Sequence, residues 1–252
     1  MKIHPNSRAP GFTLIETVIA IGVLAVLLTG FIVVFTPAAD GIRKSINVQQ
    51  ADRLASTLEN ELVTLRDGEK VGDVKTGFDK AFDRISKSSA TAADGLVVYQ
   101  YRAKKNSKRR TDGTPEPLGD DDNKNKVPGE NYTVVSVMRK FMGDDFKKDL
   151  PAIEGSIYLV KCTQLVFTGG ELKPGKPGEI KNPAPEPSTP TIPAYQAGPF
   201  TKADDFPDAV IAFTADFYML PAKSQGYFDN TLPTKFAGLN KPVFSRNLAV
   251  RR

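Results

Sequence analysis

RAPGFTLIETVIAIGVLAVLLTGFIVVF, Arg8 to Phe35, is the stretch whose reading decides the fold of this chain. From Phe12 to Phe35 there are 24 residues with one ionisable side chain, Glu16, and no proline. At ~1.5 Å of rise per residue, a helix over this run is ~36 Å long, enough to cross a hydrocarbon layer of about 30 Å with some tilt. Leucine, isoleucine and valine surround it on all sides, so it presents no polar face to water. Lipid or a bundle of like helices has to cover it. Glu16 is the exception. A carboxylate in a membrane segment costs roughly 2.5–3.5 kcal/mol at mid-bilayer and less near the surface. Either Glu16 sits close enough to the surface to stay hydrated, or it has a positive partner. A cut after Gly11 makes Glu16 the fifth residue and creates an α-amino group on Phe12 that is positively charged near neutral pH. In a bundle of identical helices, Glu16 of one subunit can neutralise the amino group of its neighbour.

The hexamer GFTLIE (Gly11–Glu16), with Lys2, His4 and Arg8 before it and the apolar run after it, resembles the class III signal of type IV pilins and type II secretion pseudopilins. The resemblance covers residues 1 to about 36. It implies that a prepilin peptidase cuts after Gly11 and methylates Phe12, and that Glu16 serves subunit assembly. It also implies single-pass insertion in the inner membrane before assembly. An inner-membrane platform would then polymerise the chain, with copies of itself or other pilins, into a helical filament. The filament would be an extracellular pilus or a periplasmic pseudopilus. An ordinary secretory signal peptide fits poorly, because the apolar run exceeds the roughly 7–15 residues of such signals and no A-x-A site follows.

The 252 residues, 40% hydrophobic, can fill a core outside the membrane segment. The formal charge is +5, and a chain beginning at Phe12 carries +3, with 32 basic against 29 acidic residues. That is too mild to argue for nucleic acid as a partner. Cys162 is the only cysteine, so no intramolecular disulfide forms. His4 is the only histidine and lies in the leader. Its position excludes His-paired nucleophiles and His-ligated metal sites downstream of the cut. No cofactor is expected, and no catalytic constellation is apparent. The chain reads as a building block and the substrate of another enzyme.

Three parts are expected: a leader, 1–11; a long helix, 12–67, of which 12–36 is transmembrane and 37–67 amphipathic; and a globular head, 68–252. Pro37 should kink or interrupt the helix by removing a backbone donor, and Asp40-Gly41 is a second weak point. Beyond them Ile42, Ile46, Leu54, Leu58, Leu62 and Leu65 form an apolar stripe, with Gly68 as the stop. Phe78, Phe82 and Ile85 are helically spaced and predict a short helix within 72–93. Strands are expected at Leu96–Arg102, Tyr132–Phe141, Ser156–Thr168 and Val210–Leu220, with a further one at Val243–Val250. In Val210–Leu220, Ile211, Phe213, Ala215, Phe217 and Met219 make one apolar face and the intervening residues a mixed one. The fold class is therefore α+β and pilin-like: the long N-terminal helix packs on an antiparallel sheet of 4–5 strands with one face covered. Two insertions, about 103–130 and 169–200, read as surface loops. The second holds eight of the chain's 19 prolines, a density that favours extended conformation without a core of its own.

Two weaker motifs lie in the first insertion. Lys104, Lys105, Lys108, Arg109 and Arg110 could touch phosphates, but no aromatic among them offers a base a stacking platform. A solvated loop balanced by Asp120, Asp121 and Asp122 is the simpler reading. Those three aspartates, with Asn123 and Asn125, are a weak calcium candidate. The EF-hand pattern fails, since the sixth position from Asp121 is Lys126 and the twelfth Tyr132. Two functional alternatives to a pilus subunit stand beside it: a minor pseudopilin of a type II secretion system, and a monomeric membrane-anchored binding protein.

Overall fold

A computed structural model describes residues 13–67, 69–70, 72–119, 127–141, 143–184 and 196–252. The chain divides into two compact units, residues 1–46 and 47–252. Helix α1, Leu14–Val63, contributes residues to both.

In the first unit every described residue is exposed, with Leu14 at 86% and Val26 at 72%. The helix passes through Pro37 and through Asp40-Gly41 without a break. Proline removes one backbone donor, a loss that membrane helices commonly tolerate. It ends at Val63 rather than at 67; Gly68, the expected stop, lies outside the described residues.

In the second unit α1 turns Ala51, Leu54, Ala55, Leu58 and Leu62 into the core. Ile42 and Ile46, expected on the same stripe, are exposed. At about 100° per residue they fall outside the arc shared by the other five. Leu65 lies past the helix end and is half-buried. Helix α2, Gly77–Lys87, buries Phe78, Phe82 and Ile85 as their spacing predicts. A capping box starts it: Asp79 N donates to Thr76 Oγ1 at 3.2 Å and Thr76 N to Asp79 Oδ2 at 2.8 Å. Gly77 is needed at its first position because a Cβ there would stand 2.1 Å from the Val63 carbonyl oxygen.

Among the described residues the sheet has six strands: β1 Leu96–Lys104, β2 Tyr132–Lys140, β3 Ile153–Thr168, β4 Glu171–Pro174, β5 Val210–Met219 and β6 Phe244–Arg251. Their order is β2-β1-β3-β5-β6, every neighbouring pair antiparallel, with β4 folding back on β3. The strand β4 is an addition to the expected set, inside what read as a loop. Its turn is Gly169-Gly170, both at positive φ (63° and 84°), which only glycine adopts freely. The register of β3 on β1 shifts between Val98 and Gln100, opposite Gly155 at φ 71°.

Both faces of the sheet are apolar, not one. Val98, Val160, Cys162, Phe213 and Phe217 meet α1 and α2. Tyr99, Val137, Leu159 and Tyr218 point the other way into a second core with Phe141, Phe146, Phe228, Leu232 and Phe236. The second cover comes from α3, Asp144–Asp149, and from a π-helical turn, Tyr227–Thr231, that runs into α4, Leu232–Lys235. Phe146 and Phe228 stack edge to face, ring centres 5.1 Å apart. Lys161 on β3 pins α4 by donating to the carbonyls of Phe236 at 2.7 Å and Leu239 at 3.2 Å. Cys162 is fully buried, and burial raises its thiol pKa to about 12, so it is an inert core side chain.

The Pro-rich insertion is closed at its base. Asn182 N donates to the carbonyl of Ala197 at 3.0 Å, and Phe200 N to that of Ile180 at 2.7 Å.

Candidate functional site

Thr13 stands just before α1 and Glu16 in its first turn. Thr13 N donates to Glu16 Oε2 at 2.9 Å and Thr13 Oγ1 to the same oxygen at 2.8 Å. In return Glu16 N donates to Thr13 Oγ1 at 3.3 Å. This is a capping box, T-x-x-E, and it satisfies donors that a helix start leaves orphaned. The carboxylate also lies at the positive end of the helix dipole. Both halve the problem of an acid in an apolar segment. Among the described residues Oε1 takes no hydrogen bond, so one oxygen remains for another donor. Gly11 and Phe12, the processing residues, lie outside the described residues.

The run that follows is long and apolar enough to cross a membrane, and none of it is buried in the single chain. Residues 6–32 match the prokaryotic N-terminal methylation motif. The match covers the N-terminal part of the chain alone. No curated protein and no solved structure matches the chain significantly. A pilin-type motif agrees with the type IV pilin and pseudopilin resemblance. It points to a structural subunit rather than an enzyme, to processing by a prepilin peptidase and assembly with other pilins, and to membrane anchoring. The fold, a long N-terminal helix whose C-terminal part packs on an antiparallel sheet, is pilin-like.

The five basic residues of the first insertion do not share one situation. Lys104, Lys105, Lys108 and Arg109 are exposed. Lys105 Nζ donates to the Gly129 carbonyl at 2.7 Å, and an Arg109 guanidinium nitrogen to that of Gly113 at 2.7 Å. The Arg110 side chain is only 7% exposed. It faces inward and donates to Asp149 Oδ1 at 2.6 Å, with Glu116 at 3.4 Å on its other side. Asp120, Asp121 and Asp122 lie outside the described residues, and the partners of Arg110 are other acids altogether.

Asp149 ends α3 with its side chain fully buried. Tyr99 Oη donates to Oδ2 at 2.6 Å, and Arg139 Nε stands 3.6 Å from the same oxygen, an ion-pair contact too long for a hydrogen bond. Burial pushes this carboxyl up, and Tyr99, Arg110 and Arg139 oppose it. Arg139 also pairs with Asp112, whose Oδ1 accepts from Thr114 N at 2.9 Å and Thr114 Oγ1 at 2.7 Å. The network fastens the first insertion to β2 and α3. No single short motif announces it, since Arg110 and Asp149 are 39 positions apart.

Burial works to raise the Asp112 carboxyl, but Thr114 and Arg139 outweigh it and hold the pKa below the ordinary value. A depressed carboxyl stabilises the fold above its unfolded pKa of about 3.9 and loses that contribution as pH falls through the folded value. Asp112→Asn should therefore cost of order 1–3 kcal/mol at neutral pH. Its stability gap to the parent should shrink steadily below about pH 4, read from denaturant midpoints at each pH. A gap unchanged down to about pH 2.5 would remove Asp112 from the clamp.

Proposed function

We propose that this chain is a structural subunit of a type IV pilus-like filament, cleaved after Gly11 and methylated on Phe12 by a prepilin peptidase, then polymerised through α1. What carries the reading is the pairing of the methylation motif with a helix whose apolar surface is uncovered in the single chain. A helix apolar all round needs an equally apolar environment when it leaves lipid, and a bundle of copies supplies it. Glu16 fits that transfer. Its capping box holds it through one oxygen, and Oε1 can accept from the new α-amino group of a neighbour's Phe12. Such a pair in an apolar surround fixes the axial register, because a slipped neighbour leaves both charges unpaired.

The expected product in the host is a chain whose N-terminal residue is methylated Phe12, seen by intact mass and N-terminal sequencing. An N terminus still at Met1 or Lys2 would mean an uncleaved anchor, and the polymer reading would fall. Glu16→Ala should leave membrane insertion intact while reducing assembled filament at least tenfold, in line with loss of roughly 1.4 kcal/mol or more per subunit contact. Normal filament yield from this variant would mean that the register is set elsewhere. Regular filaments outside the cell distinguish a pilus from a periplasmic pseudopilus.

A further inference from the structure

The head has an open cleft of about 680 Å³, within the size range of small-ligand sites. Strand β2, helices α2 and α3, the first insertion and the α1–α2 connection all contribute to its walls. Two of its three guanidiniums are committed, Arg139 to Asp112 and Arg110 to Asp149. The third is not. Arg84, on α2, has a side chain only 15% exposed, and its nearest carboxylate oxygen is Glu69 Oε1 at 3.9 Å, beyond hydrogen-bond reach. The other oxygen of Glu69 already accepts from Lys80 Nζ at 2.6 Å and Arg66 N at 3.0 Å. Among the described residues Arg84 Nη1 is buried without an acceptor, as are Arg110 Nη1 and Arg139 Nε in the same cleft, but only Arg84 lacks a hydrogen-bonded carboxylate.

We propose that this cleft binds a compact oxyanion, a carboxylate or a phosphate, through Arg84. A guanidinium largely removed from water without an acceptor is unfavourable, and its planar fork matches two oxygens of such an anion. Burial also drags the Arg84 pKa downward, and the charges of Asp83, Glu69 and Asp94 offset it only in part. Lys140, 4.0 Å from Asp94, and the exposed Lys148 stand on the rim and draw anions in. Asp67 and Asp145 share that rim and repel an extended polyanion, which restricts the ligand to something small. Nucleic acid is therefore the wrong class for this cleft.

The test uses the full chain in detergent micelles with inorganic phosphate and, separately, succinate, at constant ionic strength set with chloride. The arginine Nε–Hε signals in nitrogen-15 NMR and the melting temperature are followed. One or both anions should move a cleft arginine signal saturably, with a millimolar or tighter dissociation constant, and raise the melting temperature. Phosphate alone acting assigns a phosphate ligand; succinate alone assigns a carboxylate. Arg84→Gln should weaken binding about tenfold or more, and Lys148→Gln, at an exposed position, about two- to threefold with the fold intact. The Lys148→Gln variant and the parent titration decide the matter even where Arg84→Gln does not fold. No saturable shift with either anion, or equal affinity in the parent and Arg84→Gln, overturns the proposal.

Discussion

Asp149→Asn should lower the stability of the head by about 3–5 kcal/mol, the range for breaking a buried ion pair from one side. The carboxylate is fully buried and holds Tyr99, Arg110 and Arg139 together. An amide of the same shape turns one acceptor into a donor facing two cations, so the guanidiniums are left in a dry site without their counter-charge. For a unit of this size each kcal/mol moves the midpoint by roughly 2–4 °C, so a fall of order 10 °C is expected in thermal melts of the full chain in micelles. Glu116→Gln is the internal control. Glu116 also faces Arg110, but it is 51% exposed and 3.4 Å away, so its loss should cost under about 1 kcal/mol. Replacing Arg110 by Met and Asp149 by Leu, with Tyr99 by Phe so that no buried hydroxyl is orphaned, should recover part of the loss, because matched apolar residues remove the desolvation penalties. If Asp149→Asn and Glu116→Gln melt together, burial of the network is not what holds the first insertion down.

Gly77→Ala separates two physical effects by the sign of its result. Helix propensity alone predicts a gain of roughly 0.5–1 kcal/mol when alanine replaces glycine. The structure predicts a loss of about 3 kcal/mol, the upper end for overpacking. The added Cβ would meet the Val63 carbonyl oxygen at 2.1 Å, its carbon at 2.9 Å and Cα at 3.3 Å. All three are backbone atoms, so no rotamer change relieves the clash; the end of α1 and the start of α2 have to separate. They are also bound by Lys80, buried to 2% exposure, whose Nζ donates to the Thr64 carbonyl at 2.7 Å and to Glu69. Gly226→Ala supplies the contrast, with open space around the position and an ordinary negative φ of −61°. It should be neutral or slightly stabilising. A stabilised Gly77→Ala would mean that the two helices part easily there.

The strands were readable because their residues are. LVVYQYR at Leu96–Arg102 has four consecutive apolar residues, all of them buried, which is how a strand covered on both faces reads. That run already argued against a sheet with one face open, and the cover it required was harder to see. Helix α3 is six residues long and α4 four, too short for a 3.6-residue period to emerge. Phe146 on α3, Phe228 on the π-helical turn and Phe236 just past α4 look like scattered aromatics until the sheet gathers them. The hairpin of β4 had a signal in Gly169-Gly170, hidden by the prolines around it. At the N terminus Glu16 stood out as a charge in an apolar run, while Thr13, three residues earlier, completed a capping box that can be read directly from T-x-x-E. Arg110 is the opposite case. Within KKNSKRR nothing distinguishes the one arginine that turns inward from its solvated neighbours, because its partner comes from a distant helix.

The closed base of the proline-rich insertion has a bearing on how this protein can vary. The backbone bonds between Asn182 and Ala197, and between Phe200 and Ile180, seal the neck from the head side. Those bonds fix the ends of the segment independently of its sequence. Doubling the length of a loop held at fixed ends costs only about 0.6 kcal/mol in closure entropy. The segment can thus diverge in sequence and length, or accept a grafted peptide, at almost no expense to folding. If the chain polymerises as proposed, such a site would be repeated once per subunit, so one change in the gene would recur at every repeat of the assembly.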